Sequence, residues 1–283
     1  MSQSINSICV IGAGTMGSGI ALALAQSGFR TLLFDINNEV LTKAKASIQK
    51  NLQFLVDKQK ISAVEKETVF NRIQFVADTA GCSADVIIEA IVEKVEAKVS
   101  IFNQLAEVNP PETIFATNTS SLSISGIQSG IKHPERVVGM HFFNPANIMK
   151  LVEVVKGKKT SDAVAQTIYD LCLQMKKTPV MCKDAPGFIV NRVARHYYLE
   201  AMKLVETSVA TFENVDDIME ATGFKMGPFR LMDLIGMDIN LAVSQSLYDA
   251  CDKAERFKPS PIQIDKVAKG ELGKKTGKGF YQY

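Results

Sequence analysis

The amino-acid sequence predicts an α/β protein with a mainly parallel, helix-covered sheet, followed by a smaller all-helical domain. A short apolar run at residues 8–11 leads into the glycine pattern G-x-G-x-x-G at residues 12–17. Strand-like and helical runs then alternate through the first two thirds of the chain, and the remainder has helical spacing. Because 283 residues exceed the usual size of one domain, we expect two, covering residues 1–184 and 185–283.

The glycine pattern predicts a dinucleotide site at the start of a Rossmann-type domain. Gly12 allows a tight turn, Gly14 lets the backbone approach a pyrophosphate, and Gly17 lets the next helix pack against the strand. Together with Thr15 and Met16, these residues place N–H groups at the positive end of that helix, where an anion binds. The alternative is a glycine turn without a ligand.

Asp35 follows a second apolar run, residues 31–34, at about the 20-residue separation expected after such a pattern. A carboxylate at this position accepts hydrogen bonds from the adenosine ribose hydroxyls. Ile36 and Asn37 follow it, and no arginine stands there to receive a 2′-phosphate. The sequence therefore predicts NAD rather than NADP.

Composition narrows the classes of partner. The formal net charge is +2 without a long basic run, which argues against nucleic acid or an anionic membrane as the partner. Five scattered cysteines predict reduced thiols, and the N-terminus lacks the basic segment of a signal peptide, so we expect a cytoplasmic protein. We expect no metal site, because the His and Cys residues are dispersed and H-E-x-x-H is absent.

Residues 38–70 are rich in Lys, Glu, Gln and Ala, with apolar residues near helical spacing, which predicts a helical excursion. At its tip, Lys58 and Lys60 form either a solvated face or a contact with an acidic part of a ligand. Strand-like runs resume after this excursion, at residues 73–76, 86–91, 114–117, 137–141 and 151–155.

Polar residues follow several of these runs and should meet at one edge of the sheet. In parallel sheets, ligands bind at the carboxyl ends of the strands. We therefore single out Glu93, with Lys98 a little over one helical turn later, and Asn118, Ser120 and His141.

His141 is the candidate general base, because imidazole exchanges protons at neutral pH and this one ends an apolar strand. Glu153 is an acid inside the apolar run 151–155, where a carboxylate needs a partner. We expect Glu153 to hold the other ring nitrogen of His141. His133, in a turn-like segment, and His196, on a long helix, are better explained as structural or solvated.

The chain after Asp184 is predicted to be helical. The break Ala185-Pro186-Gly187 ends the alternation, and helical patterns cover residues 188–206, 215–222, 229–235 and 239–254. Apolar positions are numerous for so short a domain, which is compatible with burial against a second copy. We therefore expect a homodimer formed through this domain.

Six motifs follow one another along the chain. They are IGAGTMG at 11–17, NTSSLSI at 118–124, HFFNP at 141–145, MKLVEVV at 149–155, APGFIVNR at 185–192 and KTGKGFY at 275–281. Together they resemble the L-3-hydroxyacyl-CoA dehydrogenases over essentially the whole chain. Length and tail are most similar to the bacterial 3-hydroxybutyryl-CoA dehydrogenases.

The resemblance implies reversible oxidation of (S)-3-hydroxybutyryl-CoA, or a similar short-chain 3-hydroxyacyl-CoA, by NAD. His141 would take the 3-hydroxyl proton as C3 gives hydride to NAD, and Glu153 would be its orienting carboxylate. Ser120 would hydrogen-bond the substrate hydroxyl, and Asn191 would hold the other polar end of the reacting group.

The resemblance also assigns residues to the cofactor and to CoA. Asp35 would bind the adenosine ribose, and Lys58 and Lys60 would lie near the CoA phosphates. The residues near the nicotinamide half would be Glu93, Lys98, Asn118 and Asn144.

Two alternatives remain beside this interpretation. The same scaffold could oxidise a free polyol acid, as in the related L-gulonate dehydrogenases and lambda-crystallins. A nucleotide-binding protein without catalysis is the other, and the joint presence of Ser120, His141, Glu153 and Asn191 argues against it. One residue departs from the family pattern: Arg230 stands where an acid is expected, so we expect an altered salt bridge in the helical domain.

Overall fold

The computed structural model describes residues 5–283. Its strands are β1 (Ser7–Ile11), β2 (Arg30–Phe34), β3 (Ile73–Val76), β4 (Val86–Glu89), β5 (Ile114–Thr117), β6 (Val137–Phe142), β7 (Leu151–Lys156) and β8 (Thr178–Lys183). They form one sheet in the order β3-β2-β1-β4-β5-β6-β7-β8. Every neighbouring pair is parallel except β6 and β7, which are antiparallel. The predicted α/β class with a mainly parallel sheet is confirmed.

Helices connect the strands in this first unit. They are α1 (Thr15–Gln26), α2 (Asn38–Asp57), α3 (Ala63–Asn71), α4 (Val95–Val108), α5 (Ile124–Gln128) and α6 (Asp162–Gln174). The core forms where α1 covers the sheet: Ile20 and Leu24 of α1 are fully buried, as are Ile8, Val10 and Leu33 of the strands. Each such side chain stabilises the fold by roughly 1.5–3 kcal/mol.

The predicted helical excursion at 38–70 consists of two helices, because a turn interrupts it at its tip and the Ser62 hydroxyl accepts a hydrogen bond from Glu65 N to start α3. One element of this unit differs from the sequence prediction. Strand β8 was not predicted at all. It lies at the lateral edge of the sheet beside β7, with Pro179 opposite Val152, and Pro179 is the only buried residue of the strand. A short apolar run, residues 180–182, follows this proline, and a proline argues against an interior strand.

The chain divides into two compact units between Asp184 and Ala185. The second unit contains α7 (Val190–Glu206), α8 (Phe212–Ala221), α9 (Pro228–Ile235), α10 (Met237–Ala250) and α11 (Pro261–Ala268). The predicted all-helical character is confirmed. Helix α7 begins two residues later than predicted because Gly187 and Phe188 adopt positive φ angles of 70° and 49°, which a right-handed helix excludes.

Arg230 has carboxylate partners in this second unit. Its Nη2 donates to Asp217 Oδ1 at 3.0 Å and its Nη1 to Glu220 Oε1 at 3.1 Å, so α9 is fastened to α8. The pKa of Arg230 is raised above its ordinary value, chiefly by the hydrogen bond to Asp217. The arginine therefore forms its own ion pairs with α8.

No helix within residues 5–283 is long and apolar enough to cross a bilayer. The same residues contain no group of three or more His, Cys, Asp or Glu side chains placed to hold a metal ion.

Candidate active site

The glycine loop joins β1 to α1, and its glycines are required for different reasons. Gly12 has φ +96°, and a Cβ there would lie 2.7 Å from the Ala90 carbonyl oxygen. A Cβ on Gly17 would lie 1.7 Å from the Gly12 carbonyl oxygen. A Cβ on the exposed Gly14 would meet no described atom within 4 Å. Packing within the chain thus explains Gly12 and Gly17, whereas Gly14 fits the close approach of a pyrophosphate.

Helix α1 begins at this loop and presents its positive end there. Its N-cap, Gly14, supplies no side-chain hydrogen bond, and Thr15 and Met16 open the first turn. The Asp35 carboxylate tethers the loop to the end of β2, because its Oδ2 accepts from Ala13 N at 2.9 Å. Each oxygen of a carboxylate has two acceptor sites, so Asp35 can still bind ribose hydroxyls. These residues fit a dinucleotide.

His141 and Glu153 form a buried pair on neighbouring strands. They stand opposite each other in the antiparallel register of β6 and β7, and His141 Nδ1 lies 2.7 Å from Glu153 Oε2. His141 is 5% exposed and Glu153 1%. An ionised Glu153 would only accept hydrogen bonds, and Nδ1 would then carry the proton and leave Nε2 as the basic nitrogen. The arrangement can accept a proton and stabilise the imidazolium that results.

Glu93 organises the loop after β5 that carries Ser120. Its Oε1 accepts from Thr119 Oγ1 at 2.5 Å, from Ser120 N at 3.0 Å and from Ser121 Oγ at 3.1 Å. Burial raises the pKa of Glu93, but the Lys98 charge and these hydrogen bonds outweigh it, so the pKa lies below its ordinary value. Glu93 is therefore ionised at neutral pH.

The resemblance placed Lys98 beside the cofactor, and the structure puts its side chain beneath the surface. Lys98 Nζ lies 2.6 Å from Glu89 Oε1 and 3.1 Å from Glu93 Oε2, and only 1% of the side chain is exposed. Asn118 instead links two strand ends. Its N–H donates to the Glu89 carbonyl oxygen, and its Oδ1 accepts from Phe142 N, both at 2.8 Å.

The remaining predicted site residues lie on other elements of the chain. Lys58 and Lys60 are exposed in the turn after α2, and among residues 5–283 neither contacts the strand-end loops. Asn144 is exposed shortly after β6, and Asn191 is half-buried in the first turn of α7, in the second unit.

Sequence reasoning missed two residues that support the site. Glu89 is fully buried at the end of β4, and the signal was available, since an acid within an apolar run had already marked Glu153. Asp184 Oδ2 accepts from Ser123 Oγ and Ser125 N, each at 2.8 Å, and so holds the segment that follows Ser120. Nothing in the sequence near Asp184 signals that contact.

Comparison with known proteins decides the family. Residues 7–185 match the model of the 3-hydroxyacyl-CoA dehydrogenase NAD binding domain, and residues 187–283 match that of the 3-hydroxyacyl-CoA dehydrogenase C-terminal domain. The chain belongs to the 3-hydroxyacyl-CoA dehydrogenase family. The resemblance seen in the sequence motifs is thereby confirmed.

Individual relatives are similar over the whole chain. The 3-hydroxyadipyl-CoA dehydrogenase of Escherichia coli is 47% identical over all of this chain, which spans 60% of that protein's length. A probable 3-hydroxybutyryl-CoA dehydrogenase of Deinococcus radiodurans is 40% identical, with 97% of this chain and 99% of the relative aligned. The crystal structure of (S)-3-hydroxybutyryl-CoA dehydrogenase from Ralstonia eutropha superimposes with a TM-score of 0.94, at 35% identity and 99% coverage of both chains.

Proposed function

We propose that this family member reversibly oxidises (S)-3-hydroxybutyryl-CoA and similar short-chain 3-hydroxyacyl-CoA thioesters with NAD. The buried His141–Glu153 pair carries the proposal, because it sets a basic nitrogen at the sheet edge that also holds the glycine loop. Family membership supplies the reaction class. Burying this pair costs desolvation free energy. A nucleotide-binding protein without catalysis, the alternative, does not explain why the pair is present.

In the proposed mechanism, His141 Nε2 takes the proton of the 3-hydroxyl while the hydrogen on C3 leaves with its electron pair. Bound NAD supplies the acceptor for that hydride. Glu153 stabilises the imidazolium, Ser120 donates to the substrate oxygen, and Asn191 holds the other polar end of the reacting group. In the reverse direction, His141 returns the same proton to the carbonyl oxygen. The protein's contribution is to position these groups and to stabilise developing charge.

The test of this mechanism is His141→Ala, assayed by NADH oxidation with acetoacetyl-CoA. We expect kcat to fall by about 10²–10⁴-fold, the range for loss of a general acid or base, with NADH affinity nearly retained. His133→Ala is the matched control, because His133 is an exposed surface histidine. Unchanged turnover in the His141 variant contradicts the mechanism.

The cofactor proposal is specific to NAD. Asp35 bears a negative charge where a 2′-phosphate would lie, and its neighbours Ile36 and Asn37 offer no cation. We expect kcat/KM to favour NADH over NADPH. A ratio that favours NADPH overturns the assignment.

Lys58 and Lys60 support a CoA thioester over a free acid. Both ammonium groups are exposed on the α2–α3 turn, where they can attract phosphates. Replacing both by Gln is expected to raise KM for acetoacetyl-CoA with little change in kcat, an effect that added salt diminishes. Turnover of L-gulonate, with none of the CoA thioester, would favour the polyol-acid alternative.

A second candidate substrate carries a carboxylate at the far end of the acyl chain. The relative named for 3-hydroxyadipyl-CoA favours it, and so does Arg195, a buried cation four residues after Asn191 on α7. Among residues 5–283, Arg195 has no carboxylate partner. It donates to the Asn240 carbonyl oxygen at 2.6 Å and to Ser244 Oγ at 2.9 Å, and its Nε has no hydrogen-bond partner.

The two candidates make different demands on Arg195. If it binds the distal carboxylate, Arg195→Met lowers kcat/KM for 3-oxoadipyl-CoA by about 10- to 100-fold more than for 3-oxohexanoyl-CoA, as expected for a charge-assisted hydrogen bond. If Arg195→Met lowers kcat/KM equally for both substrates, Arg195 does not bind a distal carboxylate, and the short-chain proposal stands alone.

We also propose a cytoplasmic homodimer formed through residues 185–283. All five cysteines are free thiols, which suits a reducing compartment. Light scattering at micromolar concentration tests the assembly, and a strictly monomeric mass contradicts it.

A further inference from the structure

A buried lysine lies against the loop that joins β6 to β7, here called the β6–β7 loop (residues 143–150). Lys177 belongs to the connection between α6 and β8 and is 9% exposed. Among residues 5–283, no carboxylate forms an ion pair with its ammonium. Burial lowers the pKa of Lys177 below its ordinary value. A cation in this place needs hydrogen-bond acceptors to offset its lost hydration.

Two backbone carbonyls of the β6–β7 loop are those acceptors. Lys177 Nζ donates to the Ala146 carbonyl oxygen at 2.6 Å and to the Met149 carbonyl oxygen at 2.8 Å. Within the loop, the Pro145 carbonyl oxygen accepts from Ile148 N at 3.0 Å and from Met149 N at 2.9 Å. The ammonium therefore joins the start and the end of one tight turn, through hydrogen bonds that its charge strengthens.

The end of α6 sets the direction from which Lys177 approaches the loop. Lys176 adopts a positive φ of 56°, and its N–H donates to the Leu173 carbonyl oxygen at 2.9 Å. Lys177 N donates to the Cys172 carbonyl oxygen, also at 2.9 Å. These two bonds form the Schellman arrangement, which ends a helix and turns the chain. The backbone of Lys177 is thus fixed on α6, and its side chain reaches across to the loop.

The loop contacts both halves of the candidate site. Ala146 is 2% exposed and packs on α1, where a Cβ on Gly19 would lie 3.3 Å from the Ala146 Cβ. The Phe143 ring packs against the His141 ring, with 4.5 Å between the centroids. Asn144, predicted to lie near the nicotinamide, stands between these two contacts in the chain. A shift of the loop would therefore disturb the packing on α1 and on His141.

We infer that Lys177 is a positioning residue, which holds the β6–β7 loop so that Phe143 stays packed on His141. The inference rests on the proposed function, in which His141 exchanges the substrate proton. Removing the ammonium leaves two loop carbonyls without this donor. One of them belongs to the buried Ala146, where water is a poor replacement. The loop then shifts to regain partners, and Phe143 moves with it.

Lys177→Met tests this role, because methionine retains an unbranched apolar side chain and removes the donor. We measure kcat and KM in the oxidation of (S)-3-hydroxybutyryl-CoA with saturating NAD, deuterium uptake of the β6–β7 loop, and the thermal unfolding midpoint. We expect kcat of the folded protein to fall by about 10- to 100-fold, the cost of misplacing a reacting group by up to about 1 Å, with KM changed by less than about threefold. Deuterium uptake of the loop should rise, because the bonds from Ile148 N and Met149 N to Pro145 open more often.

Lys177→Gln is the second variant, and it serves if the methionine variant does not fold. The glutamine amide can donate to one of the two carbonyls, so the changes in kcat and deuterium uptake should have the same direction and a smaller size. Lys176→Met is the matched control. It removes the same charge from the exposed neighbouring residue and should leave kcat, KM and deuterium uptake of the loop unchanged.

Two results overturn the inference. One is unchanged deuterium uptake of the loop in both Lys177 variants, which means that Lys177 does not hold it. The other is a kcat within about threefold of wild type although the uptake rises or the unfolding midpoint falls, which leaves Lys177 a purely structural role. If the wild-type protein does not oxidise (S)-3-hydroxybutyryl-CoA, the proposed function fails, whereas deuterium uptake still tests whether Lys177 holds the loop.

Discussion

Glu153→Gln isolates the charge that the proposed mechanism requires behind His141. Glutamine has the shape of glutamate and can still accept a hydrogen bond from His141 Nδ1, so the change removes the negative charge and little else. Because Glu153 is only 1% exposed, water cannot take the place of its carboxylate in stabilising the imidazolium.

The distance sets the size of the effect. Nδ1 and Oε2 are 2.7 Å apart, which puts the delocalised charges of imidazolium and carboxylate roughly 4 Å apart. At that separation, an effective dielectric constant of about 20 gives an attraction of about 4 kcal/mol. The neutral hydrogen bond to glutamine returns about 1 kcal/mol. The remaining stabilisation of about 3 kcal/mol corresponds to about 10²-fold in kcat.

Steady-state oxidation of (S)-3-hydroxybutyryl-CoA with saturating NAD, the direction in which the imidazolium forms, measures this loss, and the thermal unfolding midpoint checks that the fold is retained. Glu135→Gln is the control, because Glu135 also pairs with a histidine, His133, at 3.4 Å, but both side chains are more than half exposed. Surface pairs of this kind contribute little. A kcat for Glu153→Gln within about threefold of wild type, less than 1 kcal/mol, would refute the assigned charge.

Three further outcomes follow from the structure. Gly14→Ala should leave unfolding unchanged but raise the Kd of NADH by about tenfold or more in a fluorescence titration, because only a ligand approaches that position. Gly17→Ala should lower the free energy of unfolding by about 3 kcal/mol in denaturant, because its Cβ would lie 1.7 Å from a backbone oxygen. Hydrogen bonds from Lys266 and Lys278 lower the pKa of Glu271 to about 2, so the stability that wild type has over Glu271→Gln should be complete above the ordinary carboxyl pKa and vanish as pH falls toward 2. A difference that grows on acidification contradicts that sign.

The sequence predicts where a residue lies in the sheet when strand direction alone determines its position. Glu93, Asn118, Ser120 and His141 each follow an apolar run, and parallel strands bring such positions to one edge. This inference did not require the order of the strands in the sheet. The edge strand β8 escapes prediction for a different reason, since it is half exposed and contains Pro179, a residue that argues against an interior strand.

The hydrogen-bond and ion-pair partners of these residues were harder to predict than their positions in the sheet. Lys98 follows Glu93 by a little over one helical turn, and the sequence does not reveal that its ammonium turns inward to Glu89. That contact joins the first turn of α4 to the end of β4. Lysine is rarely buried unless it is paired with a carboxylate. Knowing that Lys98 is buried would therefore have predicted its partner, but the sequence pattern does not show that burial.

Glu89 and Glu153 nevertheless share a feature that can be recognised in the sequence. Each is an acid in an apolar strand, and an ionised carboxylate moved there without a partner would cost several kcal/mol. The fold must therefore bring a donor or cation to each: Lys98 and Thr117 to Glu89, and His141 to Glu153. Both pairs lie beside the carboxyl ends of parallel strands, at the same side of the sheet as the glycine loop, so an acid in a strand of this sheet marks a polar group that its partners hold in place.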